Sequence, residues 1–284
     1  MLKRFIILPA FALISFSACH NKIEVEEPHE TPSDEVRSYP VEMTFYATND
    51  SGPKTVINDE YILWQSGDEV KVIWSETGFN KAVVSPYDRN LKAELTTTVE
   101  PAADYYGVYP YSAASSYHDG MIEVMVPSSQ SGIFSDANIA IARADSENMM
   151  NFKHIVSFIE FTIDKVGVLE ISGSSSDRLH GKVKVTGFDD IGTPVYEVSG
   201  GGASVTVDIK TSGTYYLALL PDASLDYLSI TLRNGDTVLY ASSTKPITMT
   251  PGKLMGLGNI TGRLSEDRSV IATLEPFIIR DFVF

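Results

Sequence analysis

Few side chains in this sequence are placed to do chemistry, and Cys19 is the best placed. It is the only cysteine in 284 residues. A lone thiol forms neither an intrachain disulfide nor a cysteine-rich zinc site. It can be acylated, and its surroundings suit that reaction. Lys3 and Arg4 precede a 12-residue apolar run, Phe5–Phe16, and the small residues Ser17 and Ala18 follow it. That run has the length of a signal-sequence core and falls short of the roughly 20 residues that span a bilayer. The arrangement resembles a lipobox, with Phe16 where the pattern prefers leucine. Residues 1–18 are then a lipoprotein signal peptide, and Cys19 becomes the acylated first residue of the mature chain. Two or three acyl chains there would anchor it stably, whereas one is marginal. The other reading is an ordinary signal peptide with an incidental cysteine.

Catalytic and metal-binding constellations are weak. Ser51-Gly-Pro-Lys54 and Ser242-Ser-Thr-Lys245 match S-x-x-K only by letters, because both lie in strand-and-turn context rather than at a helix start. His20, His29, His118, His154 and His180 lack ligand spacing, and neither H-E-x-x-H, G-x-S-x-G nor a phosphate-binding G-x(4)-G-K-[ST] occurs. His154 heads a strand and reads as a core or edge histidine. Gly200–Gly202 has no helix after it, so it is a turn rather than a phosphate cradle. Asp189-Asp190 reads as a solvated turn before it reads as a calcium site. The expectation is a protein with no catalytic centre, cofactor or metal. Trp64 and Trp74 could stack on sugar rings. Trp74 shares a face with Val70 and Val72, which suggests core. Trp64, beside Gln65-Ser66-Gly67-Asp68, keeps open the alternative of a glycan-binding surface lipoprotein.

The elements around these residues are strands. Apolar residues alternate in Val41–Ala47, Val70–Trp74, Ile122–Val126, Ile159–Ile163, Val205–Ile209, Tyr215–Leu219 and Leu228–Leu232. A period of two, β-branched enrichment and Gly/Asn/Asp/Pro boundaries predict half-buried antiparallel strands. Asn234-Gly235 predicts a hairpin turn, and a helical turn or two is expected near Ser135–Ala144. The class is all-β, and the number of strands suits two sandwiches in tandem. The expected layout is an acidic tether over 19–38, an N-terminal β-sandwich over 39–165, a C-terminal one over 166–262, and a tail over 263–284. The tether carries six acids and two prolines between His20 and Arg37 and cannot bury a core. The net charge of −15 repels phosphate backbones and argues against nucleic acid as a partner. The tail is apolar, with Ile271, Leu274, Phe277, Ile279, Phe282 and Phe284, and Pro276 keeps it from being a central strand. It could pair with its own domain or add to a neighbour's sheet.

Several patterns together resemble the fimbrillin family, the lipoprotein subunits of type V pili in Bacteroidetes. Trp64-Gln-Ser-Gly-Asp-Glu-Val-Lys-Val72 resembles that family's W-x-x-G-D-x-[IV]-x-V segment, and Tyr109-Pro110-Tyr111 its YPY. Val126-Pro127 with Gln130 matches its P-x-x-Q turn. Phe152-Lys-His154 with Ser157 and Ile159-Glu-Phe161, then Thr250-Pro-Gly-Lys253 and Leu257-Gly-Asn-Ile260, follow in the family's order. The resemblance implies two transthyretin-like sandwiches and assembly by strand exchange after a protease removes an N-terminal strand. Arg37 is the candidate cleavage site. Cys19–Val36 is too acidic to fill an apolar groove, however, and the first strand lies after Arg37, so an anchor or accessory subunit that keeps its lipid is implied. Acids behind Cys19 resemble the Bacteroidetes signal for the outer face of the outer membrane. Asp236-Thr237-Val238 resembles an O-glycosylation acceptor, with Thr237 modified. The implied partners are other pilin subunits, in a homo- or heteropolymer, the outer membrane, and a host or bacterial surface glycan or protein.

Overall fold

The computed structural model describes residues 39–48, 56–58, 61–243, 245–267 and 278–281. Strands dominate, as the alternation predicts. Among the described residues the only helical pieces are one turn at Phe134–Ala137 and a 3-10 turn at Thr261–Arg263, so no helix is long and apolar enough to cross a membrane.

Three apolar clusters organise the strands. The first lies on one face of an eight-stranded sheet. Its order is Met149–Met150, Val41–Ala47, Lys92–Val99, Phe79–Tyr87, Glu69–Ile73, Tyr106–Tyr109, Ala140–Arg143 and Lys153–His154. Lys92–Val99 shows the pattern in pure form, with Ala93, Leu95, Thr97 and Val99 buried and the residues between them outside. Phe45, Trp64, Val72, Val84, Leu95 and Tyr109 fill this core. Full burial of each such side chain contributes about 1.5–3 kcal/mol.

The second cluster uses the opposite face of the same sheet. Tyr106, Val108 and Ile141 pack there against Ile122, Val124, Val183 and Val185. The latter four come from a sheet ordered Pro194–Gly202, His180–Phe188, Met121–Val126 and Ser115–His118. Tyr106–Tyr109 is therefore buried on both faces, and all four of its residues are inside.

The third cluster lies between two further sheets. One runs Ser129–Gln130, Ser204–Ile209, Gly167–Ser172, Leu228–Asn234 and Thr237–Ser243, and the other runs Gly213–Leu219, Ser157–Ile163, Lys253–Asn259 and Ile278–Asp281. Phe161, Leu169, Val207, Leu217, Ile230 and Leu257 meet between them.

Two features differ from the sequence reading. Strand pairing runs across the division expected at residue 165. Ser157–Ile163, expected to end the first half, pairs antiparallel with Gly213–Leu219 and parallel with Lys253–Asn259. Met121–Val126 likewise pairs with His180–Phe188. Ile159, Phe161 and Ile163 face the third cluster while Phe158 faces the second. A strand apolar on both faces carries no mark of the sheet it joins. The predicted hairpin also turns one residue later than expected. Asn234 pairs with Thr237, so Gly235 and Asp236 form the loop, and Gly235 supplies its φ of +57°.

Candidate functional site

The chemistry available in this all-β chain is that of its sheet edges, where unpaired N–H and C=O groups can bond another strand. The third cluster's sandwich has two open sides, and a crossing segment closes each.

On the first side the closing segment is the C-terminal tail. Leaving the Lys253–Asn259 strand, the chain passes through Thr261–Arg263 and reaches the edge strand Thr237–Ser243. There Tyr240 N–H donates to Ser265 O at 2.7 Å and Ser265 N–H donates to Tyr240 O at 3.0 Å. Farther on, Ile278–Asp281 joins the other sheet, antiparallel to Lys253–Asn259. Its register sets Ile278 opposite Gly256, Ile279 opposite Met255, Arg280 opposite Leu254 and Asp281 opposite Lys253. The tail thus touches both sheets, and Ile278–Asp281 is the outermost strand of its own. Of the six candidate donor residues only Ile279 is described. Ile271, Leu274, Phe277, Phe282 and Phe284 lie outside the described residues.

On the opposite side the closing segment is Ser128–Gly132. Thr206 N–H donates to Ser128 O at 2.7 Å, which fixes the segment to one sheet. Gln130 fixes it to the other. Its Nε2 donates to Ala218 O at 2.8 Å and to Pro127 O at 3.0 Å, while its Oε1 accepts from Ala218 N–H at 2.8 Å. Tyr216 N–H donates to Gly132 O at 2.9 Å. Gly132, at φ +79°, passes so close that a Cβ would lie 2.5 Å from Tyr215 Cδ1 and 2.9 Å from Val207 Cγ2. Only glycine fits there without a shift. Beside this segment a groove of about 710 Å³ opens along Ile133, Asp208, Lys210, Thr211, Gly213 and Thr214.

The remaining sequence candidates are structural or lie elsewhere. Trp64 is fully buried. Its ring meets Tyr109 at 5.5 Å and 88° and Phe152 at 5.7 Å and 75°. It offers no face to a sugar, which removes the residue on which the glycan-binding alternative leaned. The Gln65-Ser66-Gly67-Asp68 turn is exposed in part, but it follows Trp64 rather than carrying it outward. Trp74 is half-buried and packs against the same core. His154 is buried, edge-to-face with Phe158 at 5.5 Å and 89°. Asp189 Oδ1 accepts from Thr193 N–H at 2.7 Å and Ile191 N–H at 3.0 Å. Those bonds, led by Thr193, hold its carboxyl below the usual range and make it the staple of a turn. Thr237 is exposed at the start of its strand beside the hairpin loop. Cys19 and Arg37 lie outside the described residues.

Sequence reasoning missed two arrangements. The first is the Gln130 contact, which spans 88 positions. The only local signal was the P-x-x-Q spacing. The second is an exposed group in which His118 Nδ1 lies 2.7 Å from Glu76 Oε1 and His118 Nε2 lies 3.1 Å from Asp119 Oδ2. These come from separate turns, so no spacing in the sequence could show them. Among the described residues this is the one group of three acidic or histidine side chains with metal-ligand proximity, and all three are solvent-exposed.

Comparison with known proteins agrees with this architecture. The sequence profile described as Fimbrillin-like matches residues 47–258, well over half of the chain. A solved structure of a candidate cell adhesion protein from Bacteroides ovatus is similar, with a TM-score of 0.50 and 12% identity, covering 87% of this chain and 99% of the other. One from Bacteroides uniformis has 17% identity and a TM-score of 0.49, covering 85% and 98%. A fimbrial assembly protein from Parabacteroides distasonis has 10% identity and a TM-score of 0.35, covering 78% and 91%. At 12% identity the likeness to the Bacteroides ovatus structure bears on fold alone. No curated protein matches. With a profile match over most of the described strands, the chain belongs to the fimbrillin-like family.

Proposed function

We propose that this chain is a non-catalytic pilus subunit that assembles by exchanging its C-terminal strand and so serves adhesion. The observation that carries the reading is the position of Ile278–Asp281. It is outermost in its sheet and four residues long. A short edge strand paired on one side alone can leave without breaking any other strand pairing. Its departure would uncover the N–H and C=O groups of Lys253–Gly256, and the same strand of a neighbour would restore them. Apolar burial and backbone pairing between subunits then supply the assembly energy.

The anchoring scheme belongs to the same proposal. Cys19 carries the acyl chains and the acidic segment behind it spaces the folded part from the outer membrane in an anchor or accessory subunit that keeps its lipid, with Arg37 the candidate cleavage site in any subunit that is released. Thr237, exposed beside its hairpin loop, is the proposed O-glycosylation site. Other pilin subunits are the proposed partners, with a surface glycan or protein as the adhesion target.

The test compares the chain lacking residues 1–18 and carrying Cys19→Ser with the same chain ending at Gly262. Each is treated with a trypsin-like protease and analysed for SDS-resistant ladders. Ladders from the longer chain alone are expected. Ladders from both, or from neither while circular dichroism shows both folded, contradict strand donation by the tail.

A further inference from the structure

One group of side chains away from the sheet edges has the donor atoms of a metal site. His118 ends the Ser115–His118 strand, and the Asp119-Gly120 loop leads from it into Met121–Val126. Glu76 lies in the turn between Glu69–Ile73 and Phe79–Tyr87, closed where Trp74 N–H donates to Gly78 O at 2.9 Å. These two hairpins belong to different sheets, and Ile73 and Ile122 beside them share the second apolar cluster. Packing of that cluster brings the two tips together and delivers three donor groups to one point. Their ligand atoms all lie within 4.8 Å of one another. The distances divide the roles. His118 Nδ1 lies 2.7 Å from Glu76 Oε1, an ordinary hydrogen-bond length. A neutral imidazole carries one N–H, so donation to Glu76 leaves a lone pair on Nε2. Nε2 lies 3.1 Å from Asp119 Oδ2. Two acceptors that close repel unless a cation joins them. A metal about 2.1 Å from each would see them at roughly 95°, between the octahedral and tetrahedral ligand angles. No lysine or arginine among the described residues forms an ion pair with Glu76 or Asp119. The His118 side chain is 71% exposed, so a hydrated ion can reach it.

We propose that His118 Nε2 and Asp119 Oδ2 bind a divalent transition-metal ion such as zinc, and that Glu76 is a positioning residue that orients the imidazole by accepting from Nδ1–H. A carboxylate behind a ligating histidine fixes its tautomer and ring orientation in this way. The imidazole donor favours a transition metal over calcium or magnesium, which take oxygen ligands. Water fills the remaining coordination positions. The ion then ties the tips of two hairpins from facing sheets. It stabilises the folded chain by mass action, because only the folded chain holds Glu76 against His118. The site is remote from the tail, so it stands or falls independently of strand donation by Ile278–Asp281.

The test uses the chain lacking residues 1–18 with Cys19→Ser, His20→Gln and His29→Gln, so that neither the thiol nor the histidines of the acidic segment compete. Zinc chloride is titrated by calorimetry, and nitrogen-15 spectra of the histidine rings read which nitrogen takes the metal. One equivalent should bind. The His118 Nε2 resonance should move to the metal-bound range while Nδ1 keeps its proton, and the melting temperature should rise with zinc and not with calcium chloride. His118→Ala should abolish binding. Asp119→Asn, which tolerates the same left-handed backbone, should weaken it at least roughly tenfold. Glu76→Ala should weaken it about tenfold and let zinc exchange between the two ring nitrogens, a spectral change that lost packing alone would not produce. Binding that persists in His118→Ala overturns the proposal. So does an unshifted His118 ring in excess zinc, and so does full affinity in Asp119→Asn. If circular dichroism shows His118→Ala unfolded, His118→Gln takes its place.

Discussion

Trp64 and Tyr109 meet edge to face with ring centroids 5.5 Å apart, and the two are among the largest fully buried side chains of the protein. Trp64 directly precedes an exposed turn, and Tyr109 ends a strand buried on both faces. The contact therefore ties the beginning of the Glu69–Ile73 region to the middle of the eight-stranded sheet. Trp64→Ala should remove about 3–5 kcal/mol of stability, as for other large-to-small core changes. Urea unfolding monitored by far-UV circular dichroism measures this directly. A loss under about 1 kcal/mol would show that the ring is not in the core.

Gly201 gives a sharper test of backbone packing. It has φ +80°, and a Cβ there would lie 1.6 Å from the carbonyl oxygen of His180. Gly120 has a similar φ of +77° but open space around its missing Cβ. Both alanine variants carry the left-handed strain of about 1–2 kcal/mol. Only Gly201→Ala adds a collision with backbone that cannot rotate away. Its midpoint in urea should fall well below that of Gly120→Ala, and equal midpoints would contradict the close approach of the two strands.

Tyr106 makes stability depend on high pH. Burial, then the Asp104 charge and the neighbouring Tyr117, push its phenol up to about 12. An unfolded tyrosine ionises near 10. Between these values the folded chain holds a proton that the unfolded chain has released, so stability is full below about pH 10 and falls as pH rises toward 12. Tyr106→Phe should flatten that fall when melting temperatures are compared at pH 9 and pH 11. An identical fall in parent and variant would assign the alkaline loss to other groups.

The strands of this fold were legible wherever one face meets solvent. Lys92–Val99 alternates because its outer residues are wet. Where both faces are buried the alternation vanishes. Tyr106–Tyr109 reads as an apolar run, and Ser157–Ile163 alternates but adds Phe158 on its other face, so neither names its sheet. Ser157–Ile163 accordingly pairs across the division expected at residue 165. Trp64 misled for a related reason. Its polar neighbours Gln65, Ser66 and Asp68 belong to the turn after it, and a burial pattern of period two cannot be read at the last residue before a turn. The tail's apolar character was plain. Its register on Lys253–Gly256 depends on pairing alone and had no local signal. Gln130 was visible only as a turn residue, because a carboxamide standing in for a peptide group leaves no periodic trace.

The central claim is that Ile278–Asp281 leaves its own sheet to join a neighbour's, and a reversible tether tests it most directly. Lys253 and Asp281 stand opposite each other across the last two strands. Facing positions in an antiparallel pair have Cα atoms about 4.5–5.5 Å apart, within disulfide range. In a chain with Cys19→Ser, the pair Lys253→Cys and Asp281→Cys should lock the tail when oxidised. Protease-treated protein should then remain monomeric on SDS gels, and reduction should release the ladder. Ladders that form equally in the oxidised state, or never form once the tail is free, would contradict strand exchange by the tail.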